Sequence, residues 1–159
     1  MPELRAVAVA VDGSPAADQA FEWAVTLAKL ASASLTIVGV VPAVVRFAAP
    51  SGEVVESRSE GQRYMPELLS RYVDSARRRL PSAVDSAILE GPVVDELLVF
   101  LDERRPQILV VGARGLSRSR RLLLGSVSDA IAHHATCSVL IVRAPRGRST
   151  SKELRGPTK

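Results

Sequence analysis

At 159 residues, 47% of them hydrophobic, the chain has room for one domain with its own core and is too apolar for wholesale disorder. Aromatic residues make up only 4% of it, so that core should be built of Val, Leu, Ile and Ala. The net charge of +4 is concentrated at one end: residues 143–159 hold six basic residues and one acid, which leaves −1 for the rest, so the basicity belongs to a tail and not to a nucleic-acid-binding body.

Residues 4–11 form an apolar run too short for a signal peptide or a membrane span, and they read as a strand ending in Val11-Asp12-Gly13-Ser14. Residues 15–33 follow a helical period through Ala17, Ala20, Phe21, Ala24, Leu27, Ala28 and Ala31, with Ser14 as N-cap and Pro15 in the first turn. A second strand is expected at 35–41. The Pro-, Gly- and Ser-bearing stretch 42–61 reads as a long loop, followed by a helix from near Pro66 with Leu69, Tyr72, Val73, Ala76 and Leu80 on one stripe and Arg71, Arg77 and Arg78 outward. A third strand is predicted at 84–89, and a helix opening at Gly91 and Pro92 turns Val94, Leu97, Leu98 and Leu101 inward. A fourth strand at 107–111, a helix at 126–134 and a fifth strand at Ser138–Val142 complete the order βαβαβαβαβ.

Unbroken apolar strands alternating with helices point to a parallel sheet with helices on both faces. Ligands of such sheets bind beyond the carboxyl ends of the strands, where the strand order reverses. Residues 144–159 read as a disordered basic tail. The single Cys137 has no partner for an intramolecular disulfide, which suits a reducing, cytoplasmic setting; it is either a reactive thiol or a small buried residue at a strand start.

The richest chemistry follows the fourth strand. Gly112-Ala113-Arg114-Gly115, nine further residues and then Gly125-Ser126 lead directly into a helix. Backbone N–H groups of a Gly-rich turn, backed by the positive end of a helix dipole, suit phosphate groups, and glycine permits both positive φ and close approach of a ligand. The same residues also fit plain turn glycines with Ser126 as a helix cap. A GxxxxGK[ST] loop and a GxGxxG pattern are both missing, so cationic support would come from Arg114, Arg118, Arg120 or Arg121, or from a metal held by the phosphates. Asp12 is placed to accept hydrogen bonds from a nucleoside or, equally, to serve as a turn acid.

Together, the VDGS at residues 11–14, the GxxGx9GS loop and the SVSDAIAHHATCSVLIV that begins at Ser126 resemble the universal stress proteins over residues 5–143, least so in 42–61. The resemblance implies a three-layer α/β fold of the adenine nucleotide alpha hydrolase-like, Rossmann-like kind. Its five-stranded parallel sheet would have the order 3-2-1-4-5 with four helices, in a domain of residues 1–143 that dimerises through Ser138–Val142. It further implies the ATP-binding branch, with Ala10, Asp12 and Val40 lining the adenosine. Gly112, Ala113, Arg114, Gly115, Gly125, Ser126, Val127 and Ser128 would surround the phosphates, and Mg²⁺ would be held through those phosphates. Ala113 departs from the Ser or Thr frequent in the family, and Ser138 from its Pro.

The function implied is that of an ATP-binding regulatory or stress-response protein. The alternative is a slow ATPase or a phosphoryl or nucleotidyl transferase, for which Asp129 is the nearest acid, although that residue also suits the helix dipole. His133 and His134 diverge by roughly 100° on a helix and do not share a metal from one face. His133 and Cys137 have i, i+4 spacing without further ligands nearby. A third reading, nucleic-acid binding through the basic tail, has electrostatic support but no interleaved aromatics.

Overall fold

The computed structural model describes residues 3–52, 54–57, 60–115 and 124–144. The basic tail from 145 onward, and Arg118, Arg120 and Arg121, lie outside these residues. Along the chain the elements are β1 (Ala6–Ala10), α1 (Pro15–Ala31), β2 (Ser34–Val41), β3 (Val45–Ala48), β4 (Val54–Ser57), α2 (Glu60–Arg77), β5 (Val84–Glu90), α3 (Val93–Arg104), β6 (Ile108–Gly112), α4 (Ser126–His134) and β7 (Ser138–Val142).

Five strands pair in parallel in the order β5-β2-β1-β6-β7, which is 3-2-1-4-5 when only these strands are counted along the chain. Side-chain alternation sends Val7, Val9, Leu35, Ile37 and Val110 into one core, where α1 and α2 bring Phe21, Val25, Leu69 and Val73. Ala8, Val38, Leu109 and Val111 point the other way and meet Leu97, Leu101 and Ile131 of α3 and α4. Both faces of β1 are thus covered, which is why its sequence reads as an unbroken apolar run.

Ser14 caps α1 as expected, its hydroxyl accepting the Ala17 N–H at 3.2 Å. At the other end of α1, Ser32 adopts a left-handed conformation and its N–H closes on the Ala28 and Lys29 carbonyls.

Two expectations are corrected. The stretch 42–61 is not a plain loop, because β3 and β4 form a two-stranded antiparallel hairpin apart from the main sheet. Likewise α2 begins at Glu60 and carries Pro66 within it, accepting the loss of one intrahelical hydrogen bond. Its first turns are held from outside the helix: Gln62 Nε2 donates to the Pro42 carbonyl at 2.7 Å, and Met65 is buried in the core.

Candidate functional site

Strand order reverses at β1, where the chain proceeds to β2 on one side and returns later as β6 on the other. The turn leaving β1 and the loop leaving β6 therefore emerge side by side at the carboxyl edge. A cleft of about 300 Å³ opens there.

The cleft has two chemically distinct halves. Ala10, Val38 and Val40 of the sheet, Val93 and Leu97 of α3 and Val127 of α4 form an apolar half. Asp12, Arg114, Gly115, Gly125, Ser126 and Ser128 form a polar half, with Gly112 at its base. Ten of the eleven residues singled out from the sequence thus line one cavity. The eleventh, Ala113, is buried behind it at 3% exposure and serves as a joint: its N–H donates to the Val142 carbonyl at 2.6 Å and its carbonyl accepts the Gly125 N–H at 2.6 Å.

The loop returns to β6 through that joint and through Ser128. The Ser128 hydroxyl is 2% exposed and donates to the Ala113 carbonyl at 2.9 Å, with the Gly125 carbonyl 3.1 Å away. Its proton is committed to closing the loop. Gly125 is the α4 N-cap and offers no side-chain cap, so Ser126 is not the cap. The first intrahelical bond of α4 runs from the Asp129 N–H to the Gly125 carbonyl, leaving the N–H groups of Ser126, Val127 and Ser128 without an intrahelical acceptor. Helix dipole and free donors together make this end of α4 attractive to an anion.

Asp12 faces that anion-attracting end across the cleft. Its Oδ1 accepts the Ser14 N–H at 2.9 Å, which fixes the turn leaving β1. The other oxygen, Oδ2, approaches the opposite loop so closely that a Cβ at Gly115 would lie 2.7 Å from it. Glycine at 115 avoids crowding this oxygen; it does not answer a demand of backbone sign. Neither Gly115 nor Gly125 has a positive φ, whereas Gly13 does, at 81°.

Sequence reasoning missed Val38, Val93 and the cleft-facing role of Leu97. Val93 is an apolar side chain left 40% exposed in the first turn of α3. The available signal was that α3 opens directly after a strand, so its first turn must overlook the carboxyl edge. Asp129 and His133 sit on the exposed side of α4, the latter with Nδ1 2.8 Å from the Asp129 carbonyl oxygen. Among the described residues no group of three His, Cys, Asp or Glu side chains is placed to hold a metal. No helix among them is long and apolar enough to cross a membrane.

Comparison with known proteins supplies the family. The model of the universal stress protein family matches residues 3–143. A putative universal stress protein of Staphylococcus haemolyticus is 34% identical over 153 residues, covering 90% of this chain and 87% of its own length. The solved structure of UspA from Lactobacillus plantarum superposes with a TM-score of 0.75 at 20% identity, over 90% of this chain and all of its own. A universal stress protein solved in complex with cAMP has a TM-score of 0.68 at 27% identity, over 91% of this chain and 100% of its own. Family model and relatives both span nearly the whole described fold, and this chain belongs to the universal stress protein family.

Proposed function

We infer that the cleft binds ATP and that the protein acts as a nucleotide-dependent regulator in the cytoplasm. The observation that carries this reading is the division of one cleft into an apolar half and a polar half ending on the free N–H groups of α4. Asp12 is the acceptor for the nucleoside, and the Gly112 to Gly115 and Gly125 to Ser128 backbones receive the phosphates, with Arg114 as the added cation. The 27% identical relative was solved in complex with cAMP, which supports an adenine nucleotide as the class of ligand. Mg²⁺ would be held through the phosphates, because the cleft lining contains one carboxylate, Asp12, among the described residues.

That single acid also weighs against an efficient phosphoryl transferase, since Asp12 already holds the Ser14 N–H. The test is direct. The purified protein is denatured and any released ligand identified by mass, and ATP·Mg is then titrated and phosphate release followed. Adenine nucleotide with negligible turnover bears the proposal out; clear turnover assigns an ATPase instead, and no saturable ATP binding overturns the reading.

The same reading includes a homodimer through β7. This strand pairs only with β6 among the described residues, leaving its outer edge open. Trp23, Leu27 and Leu30 share one flank of α1, opposite the flank where Asp18 and Glu22 meet α2. Trp23 is 52% and Leu30 81% exposed, and Leu27 packs with Leu140 of β7 against the core. Antiparallel pairing of two β7 strands about a twofold axis normal to the sheet brings these two flanks together.

A further inference from the structure

A second cleft, of about 390 Å³, lies on the other side of the turn that leaves β1, between α1 and α2. Gly13 lines it, whereas the neighbours Asp12 and Ser14 line the first cleft, so a single residue's thickness of backbone separates the two. Gly13 is pressed against Tyr64, whose hydroxyl would be 2.7 Å from a Cβ at that position. Phe21, Leu68 and Tyr72 make an apolar floor, the rings of Phe21 and Tyr72 lying 4.7 Å apart between centroids.

The charged groups around this floor are unequally engaged. Glu22 is occupied, accepting two hydrogen bonds from Arg79 at 2.8 and 2.7 Å. Asp18 is half occupied: its Oδ1 accepts the Tyr72 hydroxyl, and Oδ2 has no partner among the described residues. Burial, and then the bond to Asp18, push the Tyr72 hydroxyl far above its ordinary titration range, so it remains a donor and holds Asp18 in place. Arg71 has no hydrogen bond or ion pair among the described residues, and its guanidinium carbon stands 6.0 Å from the centre of the Tyr64 ring. One free carboxylate oxygen and one free guanidinium therefore border the same apolar floor.

We propose that the α1–α2 cleft is a second ligand site, for a zwitterionic α-amino acid with an apolar side chain. The ammonium group pairs with Asp18 Oδ2, the carboxylate forms a fork with Arg71, and the side chain rests on Phe21 and Leu68. A neutral ligand leaves both charges unused, and a simple cation or anion leaves one. The volume is within the range of about 300–1,000 Å³ typical of small-molecule sites. This site is independent of the nucleotide reading.

Calorimetric titration of the full chain with L-leucine, L-methionine and L-phenylalanine tests the proposal, with 3-phenylpropionate and 2-phenylethylamine as analogues that each lack one charge. At least one amino acid is expected to saturate at about millimolar concentration or below, and each analogue of L-phenylalanine should bind about tenfold more weakly than it. Asp18→Asn keeps an acceptor for Tyr72, Arg71→Gln alters an exposed side chain, and each should weaken binding by about tenfold while melting as the parent does. Saturating ATP should not displace the amino acid. No saturation by any of the three, binding of either one-charge analogue as tightly as L-phenylalanine, unchanged affinity in both variants, or displacement by ATP would overturn the assignment.

Discussion

Replacing Gly115 with alanine is the sharpest probe of the proposed nucleotide cleft, because its effect should pass through one atom. The new Cβ would lie 2.7 Å from Asp12 Oδ2, whereas relaxed carbon–oxygen contacts are about 3.3–3.6 Å. One of the two must retreat by about 0.6 Å or more, and the carboxylate moves more easily than the loop backbone. Rotating it breaks the 2.9 Å bond from the Ser14 N–H and misplaces the acceptor offered to the nucleoside. A hydrogen bond to a charged group is worth about 1.5–3 kcal/mol, so ATP affinity should fall about 10- to 100-fold. In an Asp12→Ala background there is no carboxylate to displace, and Gly115→Ala should then cost almost nothing more. Calorimetry on the parent, both single variants and the double variant closes the cycle, with an expected coupling of about 1.5–3 kcal/mol. If Gly115→Ala weakens ATP as much in the Asp12→Ala protein as in the parent, the glycine acts by other means. If neither single change alters affinity, the nucleoside does not lie against Asp12.

Four further outcomes follow from the packing and the titrating groups. Trp23→Lys with Leu30→Lys should convert a dimer into a folded monomer by light scattering, and an unchanged dimer would remove α1 from the interface. Phe21→Ala should cost about 3–5 kcal/mol in urea unfolding, because Phe21 is 3% exposed and its ring packs at a tilt against Tyr72. The hydrogen bonds from Arg79 hold the Glu22 carboxyl below its ordinary value, so the pair stabilises above the unfolded carboxylate range and that contribution is lost as pH falls through the lowered value. With Glu22 half exposed the effect is at most about 1 kcal/mol, and the difference in melting between Glu22→Gln and the parent should shrink as the pH is taken below about 4. Burial raises the Cys137 thiol above its ordinary range, so iodoacetamide at pH 8 should alkylate the native chain more slowly than the urea-unfolded one; equal rates would contradict its shielding.

What could be read from the sequence divides along a physical line. Strands covered on both faces are apolar at most positions, so β1, β2, β6 and β7 declare themselves despite Ser34, Thr36 and Ser138, and the helices between them show their period because one side of each meets the sheet. The hairpin of β3 and β4 declares nothing. Its strands of four residues pair only with each other, and four positions are too few for a period of two to stand out. Pro66 was misleading for a related reason. A proline before an apolar stripe suits a helix start, but the preceding Glu60 to Tyr64 turn is held by a contact to Pro42, twenty positions away, that no local pattern contains.

The cleft shows the same division within a single site. Its polar half is local in sequence, since the turn after β1 and the loop into α4 each carry their groups in a few consecutive residues. Its apolar half draws Val38 from β2 and Val93 and Leu97 from α3, segments more than fifty residues apart, and only strand order 3-2-1-4-5 brings them together. Asp12 could be read either as a turn acid or as a ligand acceptor, and the structure shows why the sequence did not decide. Oδ1 performs the first task on Ser14 while Oδ2 faces Gly115 across the cleft, which leaves that oxygen for the second task under the proposed function. Gly115 follows from that arrangement. A side chain at 115 would enter the space into which Oδ2 points and displace it, so the preference for glycine comes from the carboxylate opposite and not from a left-handed backbone.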